Sequence, residues 1–124
     1  MAWFKAYSTL ARHPKTLKLS RLLRVDRRYA VGLLHDLFTW GTSAADKNGV
    51  LVGLVAEDIW SALDFPPKKG VEVVAALVEV GYLDETGDGY AIHNWYDYNG
   101  KYSEDKEKGR DRVRRYRNKR EADA

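Results

Sequence analysis

The chain contains no cysteine. That excludes a disulfide scaffold, a thiolate-held zinc or iron–sulfur centre and a thiol nucleophile. Histidine is scarce: His13, His35 and His93 are scattered, none at metal-ligand spacing, and no H-E-x-x-H pair occurs. No glycine loop of the phosphate-cradling kind is present. The segment Asp84-x-Thr86-x-Asp88-Gly89 echoes a calcium loop, but its twelfth position is Trp95 where that loop needs a bidentate glutamate. It reads as a polar hairpin turn. No catalytic site, cofactor, metal or small-molecule substrate is expected. No apolar run reaches the roughly 18 residues of a membrane span, and no signal-peptide pattern opens the chain. The expectation is a soluble protein of the cytoplasm with no membrane partner.

What the chain has in quantity is aromatic and charged side chains. Of 124 residues, 44% are apolar and 12% are Trp, Tyr or Phe. This suffices for one compact core and argues against wholesale disorder. The net charge of +3 is small, but its distribution is uneven. Residues 1–28 carry eight basic groups (Lys5, Arg12, Lys15, Lys18, Arg21, Arg24, Arg27, Arg28) against Asp26 alone, a net of +7. Residues 29–100 carry three basic and eleven acidic groups, a net of −8, and residues 101–124 carry ten basic and six acidic, a net of +4. Two basic ends around an acidic middle speak of partners rather than of fold.

The local pattern predicts a sequence of elements. Residues 3–7 are aromatic and suit a strand or an arm laid on the core. His13-Pro14 opens a helix, since proline fits the first helical position, and Leu19, Leu22 and Leu23 form its apolar face. Asp26 caps a second helix whose stripe is Ala30, Leu33, Leu34, Leu37 and Phe38, with Trp40 near its end. The pair Asn48-Gly49 marks a turn, and Val50-Leu51-Val52 reads as a short strand. Residues 56–64 make a helix burying Ile59, Trp60 and Leu63. Pro66-Pro67-Lys68-Lys69-Gly70 breaks the chain before another helix at residues 71–80, apolar nearly all round, ended by Gly81. Tyr82-Leu83-Asp84 and Tyr90-Ala91-Ile92-His93 flank a turn at residues 85–89, a β-hairpin. From Lys101 onward too few large apolar groups remain to anchor a core.

The division expected is therefore a folded domain at residues 1–100 and a basic tail, helical or disordered, at residues 101–124. Helix, helix, strand, helix, helix, hairpin is the order of a winged helix-turn-helix domain, mostly α with a small β component. Residues 56–64 would be the first helix of the motif, residues 70–80 the recognition-position helix, and residues 82–94 the wing.

Several segments also carry a family resemblance. Trp3-Phe4-Lys5-Ala6-Tyr7 followed by Arg12-His13-Pro14-Lys15-Thr16-Leu17-Lys18-Leu19 resembles the start of phage replisome-organiser N-terminal domains. Arg28-Tyr29-Ala30-Val31-Gly32-Leu33-Leu34 is similar to that family's second helix. Ala76-Leu77-Val78-Glu79-Val80-Gly81-Tyr82-Leu83-Asp84 resembles its last helix running into the wing, and His93-Asn94-Trp95-Tyr96-Asp97-Tyr98-Asn99-Gly100-Lys101 the segment after it. Arg114-Arg115-Tyr116-Arg117 is like the basic segment that follows these domains. The resemblance implies a winged-helix fold related to the N-terminal domain of DnaD-type primosome proteins. It also implies DNA binding at phage or plasmid replication origins, in a bacterial host cell, with phage or host replication proteins as partners. Full replisome organisers usually continue into a further C-terminal domain. This chain ends after the basic segment, as a fragment or as a stand-alone product.

Four groups of residues are candidates for contact. Lys15, Lys18, Arg21 and Arg24 recur every three residues with no interleaved acid, and Arg27 and Arg28 extend them. They form either a ridge tracking a phosphate backbone or a solvated outer face. In the tail, Arg110, Arg112, Arg114, Arg115, Arg117, Lys119 and Arg120 suit phosphate forks, or else solubilise a linker. If about five tail groups neutralise phosphates, log affinity falls with log salt at a slope of about −4.5. Residues 70–80 present Glu72 and Glu79 with no Arg, Asn or Gln to read base edges. Lys68 and Lys69 are the only cations beside them, so weak or no sequence readout is expected there, while residues 86–90 of the wing remain a candidate minor-groove contact. Among the aromatics, Trp95 is expected to fold back onto the core, and Tyr98 and Tyr102 either follow it or stack on exposed bases.

The function expected is DNA binding in phage or plasmid replication, without catalysis. The alternative is a protein-interaction module on the same scaffold. Its acidic middle would face a basic partner, or residues 70–80 would pair in a homodimer if Val73 and Val80 were exposed. A phage inhibitor of a host nucleic-acid-handling enzyme, such as a CRISPR nuclease, belongs to this second class.

Overall fold

The computed structural model describes residues 9–95. A single 3-10 turn at Leu10–Arg12 leads into four helices, α1 (Pro14–Leu23), α2 (Arg27–Ala44), α3 (Ala56–Ala62) and α4 (Pro67–Val80). An antiparallel pair, β1 (Leu83–Thr86) and β2 (Gly89–Ile92), follows. The architecture is mostly helical with a small two-stranded sheet. The aromatic arm at residues 3–7, Tyr98, Tyr102 and the whole basic tail lie outside the described residues.

Local chemistry sets the helix ends. His13 caps α1: its Nδ1 accepts from the Lys15 N–H at 3.1 Å, with Pro14 in the first position. The helix stops at Arg24, which takes the left-handed conformation at φ 57°, and the Val25 N–H returns to the Ser20 carbonyl at 3.0 Å. Asp26 then caps α2 as expected, accepting from the Tyr29 N–H at 2.8 Å. Asp58 caps α3 from within, its carboxylate accepting from the Val55 N–H at 2.8 Å.

Five expectations are corrected by packing. Residues 50–52 do not form a strand. Val50 makes one antiparallel bridge with Ala91, and the Leu51 N–H reaches the Tyr90 carbonyl. The chain then turns away at Gly53, with φ +73°. The break at residues 66–70 is a helix start: Pro66 is the N-cap and Pro67 the first helical residue, so Lys68, Lys69 and Gly70 form the first turn of α4. Gly70 is needed there because a Cβ would collide with Cβ and Cγ of Trp60, which is half-buried rather than buried. Leu22 is 40% exposed, since the buried face of α1 is Thr16, Leu19, Ser20 and Leu23. The hairpin loop narrows to Gly87-Asp88, because Thr86 pairs with Gly89 and Glu85 with Tyr90.

The core joins all these elements. Leu19, Leu34, Leu37, Leu51, Ile59, Leu77, Leu83 and Ile92 are fully buried. Helix α1 packs against both α2 and α4, and α3 against α4. Val73 is 1% and Val80 6% exposed, so neither offers a dimer face. Trp95 folds back onto the core as expected, 5% exposed, against Gly41 of α2 and Gly49.

One polar pair locks α1 onto the hairpin. The Thr16 hydroxyl, fully buried, lies 2.6 Å from the Tyr82 hydroxyl. Tyr82→Phe is expected to leave that threonine short of its partner and to cost about 1–2 kcal/mol. Urea unfolding would show this as a lower midpoint with an unchanged slope.

Candidate nucleic-acid interface

The buried stripe of α1 leaves Lys18 and Arg21 on its outer side. Arg24 is exposed at the helix end, where its left-handed backbone starts the turn into α2. After that three-residue turn, Arg28 is exposed and Arg27 partly so, on the first turn of α2. These five cations follow one another around the corner between the two helices. Among the described residues the ion pairs are Lys69–Glu72 and His93–Asp84, neither of which touches the corner. Asp26, the corner's one carboxylate, is committed to the Tyr29 N–H.

The placement of Arg27 and Arg28 is locally unfavourable. The N-terminus of a helix carries partial positive charge, and a cation there typically costs a few tenths of a kcal/mol where an anion would gain as much. No acidic residue occupies the first turn of α2. The Asp26 carboxylate at the N-cap offsets part of that dipole, so an external anion at this corner would meet chiefly the side-chain charge.

The other predicted residues separate. Lys15 points elsewhere: its ammonium donates to the Gly81 carbonyl at 3.3 Å and sits 5.8 Å from the centre of the Tyr82 ring. It lies at the C-terminal end of α4, where a cation is favoured, and it joins α1 to that helix. Lys68 and Lys69 stand on the first turn of α4, Lys69 at 3.5 Å from Glu72. Arg110, Arg112, Arg114, Arg115, Arg117, Lys119 and Arg120 lie outside the described residues.

Among the described residues, α4 and the hairpin carry the opposite charge on their outer sides. The outer side of α4 exposes Lys68, Val71, Glu72, Ala75 and Glu79. The hairpin exposes Asp84, Glu85, Thr86 and Asp88, with no basic side chain on either strand. Residues 86–90 thus bring Asp88 rather than a cation toward any groove. At the base of the hairpin, His93 Nδ1 lies 2.9 Å from the Asp84 carboxylate and fastens the segment after β2 to β1. Sequence spacing gives no sign of that pair, because the register of the hairpin creates it.

Two residues at the corner escaped the sequence reading. Tyr29, just past Arg28, is 48% exposed. Gly32, one turn further along α2, is exposed as well. The signal was available: both fall off the 3.6-residue apolar stripe that identifies α2.

No cluster of His, Cys, Asp or Glu able to hold a metal occurs among the described residues, and none of their helices is long and apolar enough to cross a membrane. No family model, no curated protein and no solved structure matches this chain.

Proposed function

We propose that this protein is a DNA-binding protein on a winged-helix scaffold, of the replisome-organiser type, acting in phage or plasmid replication. The observation that carries the reading is the corner of five cations at Lys18, Arg21, Arg24, Arg27 and Arg28, none of them in an ion pair among the described residues, two of them on the first turn of α2. The scaffold assignment is supported by element order. α3 and α4 stand where a helix-turn-helix belongs, and β1 and β2 where a wing belongs. The antiparallel Val50–Ala91 bridge, which brings the segment before α3 alongside β2, supports the same reading. Binding is assigned to phosphates, because α4 and the hairpin bring carboxylates instead of base-reading groups. The basic tail adds a second set of contacts.

A salt titration of DNA binding by fluorescence anisotropy tests this. The corner's five phosphate contacts alone give a slope of about −4.5, or about 500-fold weaker binding at 200 mM than at 50 mM salt, and the tail's contacts steepen it. Removal of residues 104–124 is expected to weaken binding and flatten the slope toward that value. A slope near zero in the intact chain would overturn the reading. Unchanged affinity and slope after truncation would remove the tail from it.

The acidic outer side of α4 and the hairpin favours a second reading, a module that docks a basic protein surface, including the nucleic-acid groove of a host enzyme. Absence of DNA binding at 50 mM salt would bring this reading forward.

A further inference from the structure

We infer that the corner between α1 and α2 takes single-stranded nucleic acid, with Tyr29 as the platform on which a base stacks. This rests on the DNA-binding reading and names the form of its ligand.

Two independent observations converge. Tyr29 is an exposed ring directly beside Arg27 and Arg28, and its backbone is fixed by the Asp26 cap at 2.8 Å. An aromatic face beside cations is the arrangement that holds single strands, since stacking is available to every base and the cations take the phosphates. The second observation is Gly32. Glycine inside a helix costs roughly 1 kcal/mol relative to alanine. Gly41 and Gly70 are explained by the side chains pressed against them, Ile92 and Trp95 on one and Trp60 on the other. A Cβ on Gly32 would meet nothing within 4 Å. No contact among the described residues requires this glycine, and an exposed position without a side chain leaves the backbone open to a ligand.

On the helix surface Gly32 falls between Arg28 and Tyr29, one turn along. The three residues form a shelf with a ring on one side, a guanidinium on the other and bare backbone between them. Bare backbone lets a flat group come close to the helix. Bases in a duplex keep their faces against each other and present only edges and phosphates, so a shelf of this kind gains nothing from them. Asp36, exposed on the following turn of the same side, repels phosphate and directs the strand back toward Arg24.

The test uses the full chain and three labelled probes, oligodeoxythymidine, oligouridine and a blunt DNA duplex. Tyr29→Ala is expected to weaken binding of the single strands about tenfold and to leave duplex binding within about twofold, whereas Tyr29→Phe retains both. Gly32→Gln, which raises helix propensity, is expected to weaken single-strand binding with no fall in Tm. A tighter complex with either single strand supports the inference and identifies the sugar that the corner accepts. Equal losses on single strand and duplex would overturn it. Unchanged single-strand binding in Tyr29→Ala, with binding lost in Arg28→Glu, would overturn it while leaving the DNA-binding reading intact. No binding of any probe by the unaltered chain would overturn both.

Discussion

Trp95→Ala is expected to lower stability by about 3–5 kcal/mol. The indole is 5% exposed and meets α2 at Gly41 and the turn before Val50 at Gly49. A Cβ on Gly41 would lie 3.0 Å from Trp95 Cη2 and 2.5 Å from Ile92 Cδ1. A Cβ on Gly49 would collide with Trp95 Cβ and stand 2.6 Å from the Ile92 carbonyl oxygen. Two backbones thus lie against one ring. When the ring is removed, neither glycine has a side chain to move into the space, so the cavity persists and the cost stays near the upper end of the range. Domains of this size are stable by only about 5–15 kcal/mol, so a large share of the total is at stake. Urea unfolding followed by circular dichroism measures it, and a loss below about 1 kcal/mol would contradict the role given to Trp95.

The second large effect concerns binding. The triple variant Arg21→Glu, Arg24→Glu, Arg28→Glu removes three proposed phosphate contacts and adds three repulsive charges. DNA affinity at 50 mM salt is expected to fall at least about 100-fold, and the salt slope to lose about 2.7. Stability should move the other way. These positions are exposed, and a carboxylate in the second position of α2 complements the helix dipole by about 0.3–1 kcal/mol. Weaker binding combined with an unchanged or higher Tm separates a damaged interface from a damaged fold. A loss of less than about fivefold would shift the contact to residues 101–124.

Local signals were sufficient for some of this architecture. The Asp26 cap and the spacing of Ala30, Leu33, Leu34 and Leu37 identify α2 almost to its ends. Gly81, at φ +90°, marks where α4 stops. Where the reading departed from the structure, a distant contact decided. Pro67 carries the same first-position signal as Pro14, and what the segment does not say is that Trp60 will press on Gly70. Val50-Leu51-Val52 has strand composition, but the turn at Gly53 allows it one bridge. Lys15 belongs to the ridge by spacing and to the Gly81 carbonyl by geometry. At the corner, the spacing of basic residues was readable, and so was the lack of base-reading groups on α4. The exposure of Tyr29 and Gly32 was readable too, since both fall off the apolar stripe of α2.

The bond between Thr16 and Tyr82 also bears on how the chain is made. The two residues are separated by 66 positions. At about 5–20 residues per second of synthesis, α1 waits roughly 3–13 s for the partner that fixes it. Until α4 follows, Leu19 and Leu23 have only α2 to cover them. Helix α1 is therefore made before α3 and α4 but settles only after both, and the residue at the base of the hairpin, arriving late, completes the attachment of the helix that bears Lys18 and Arg21.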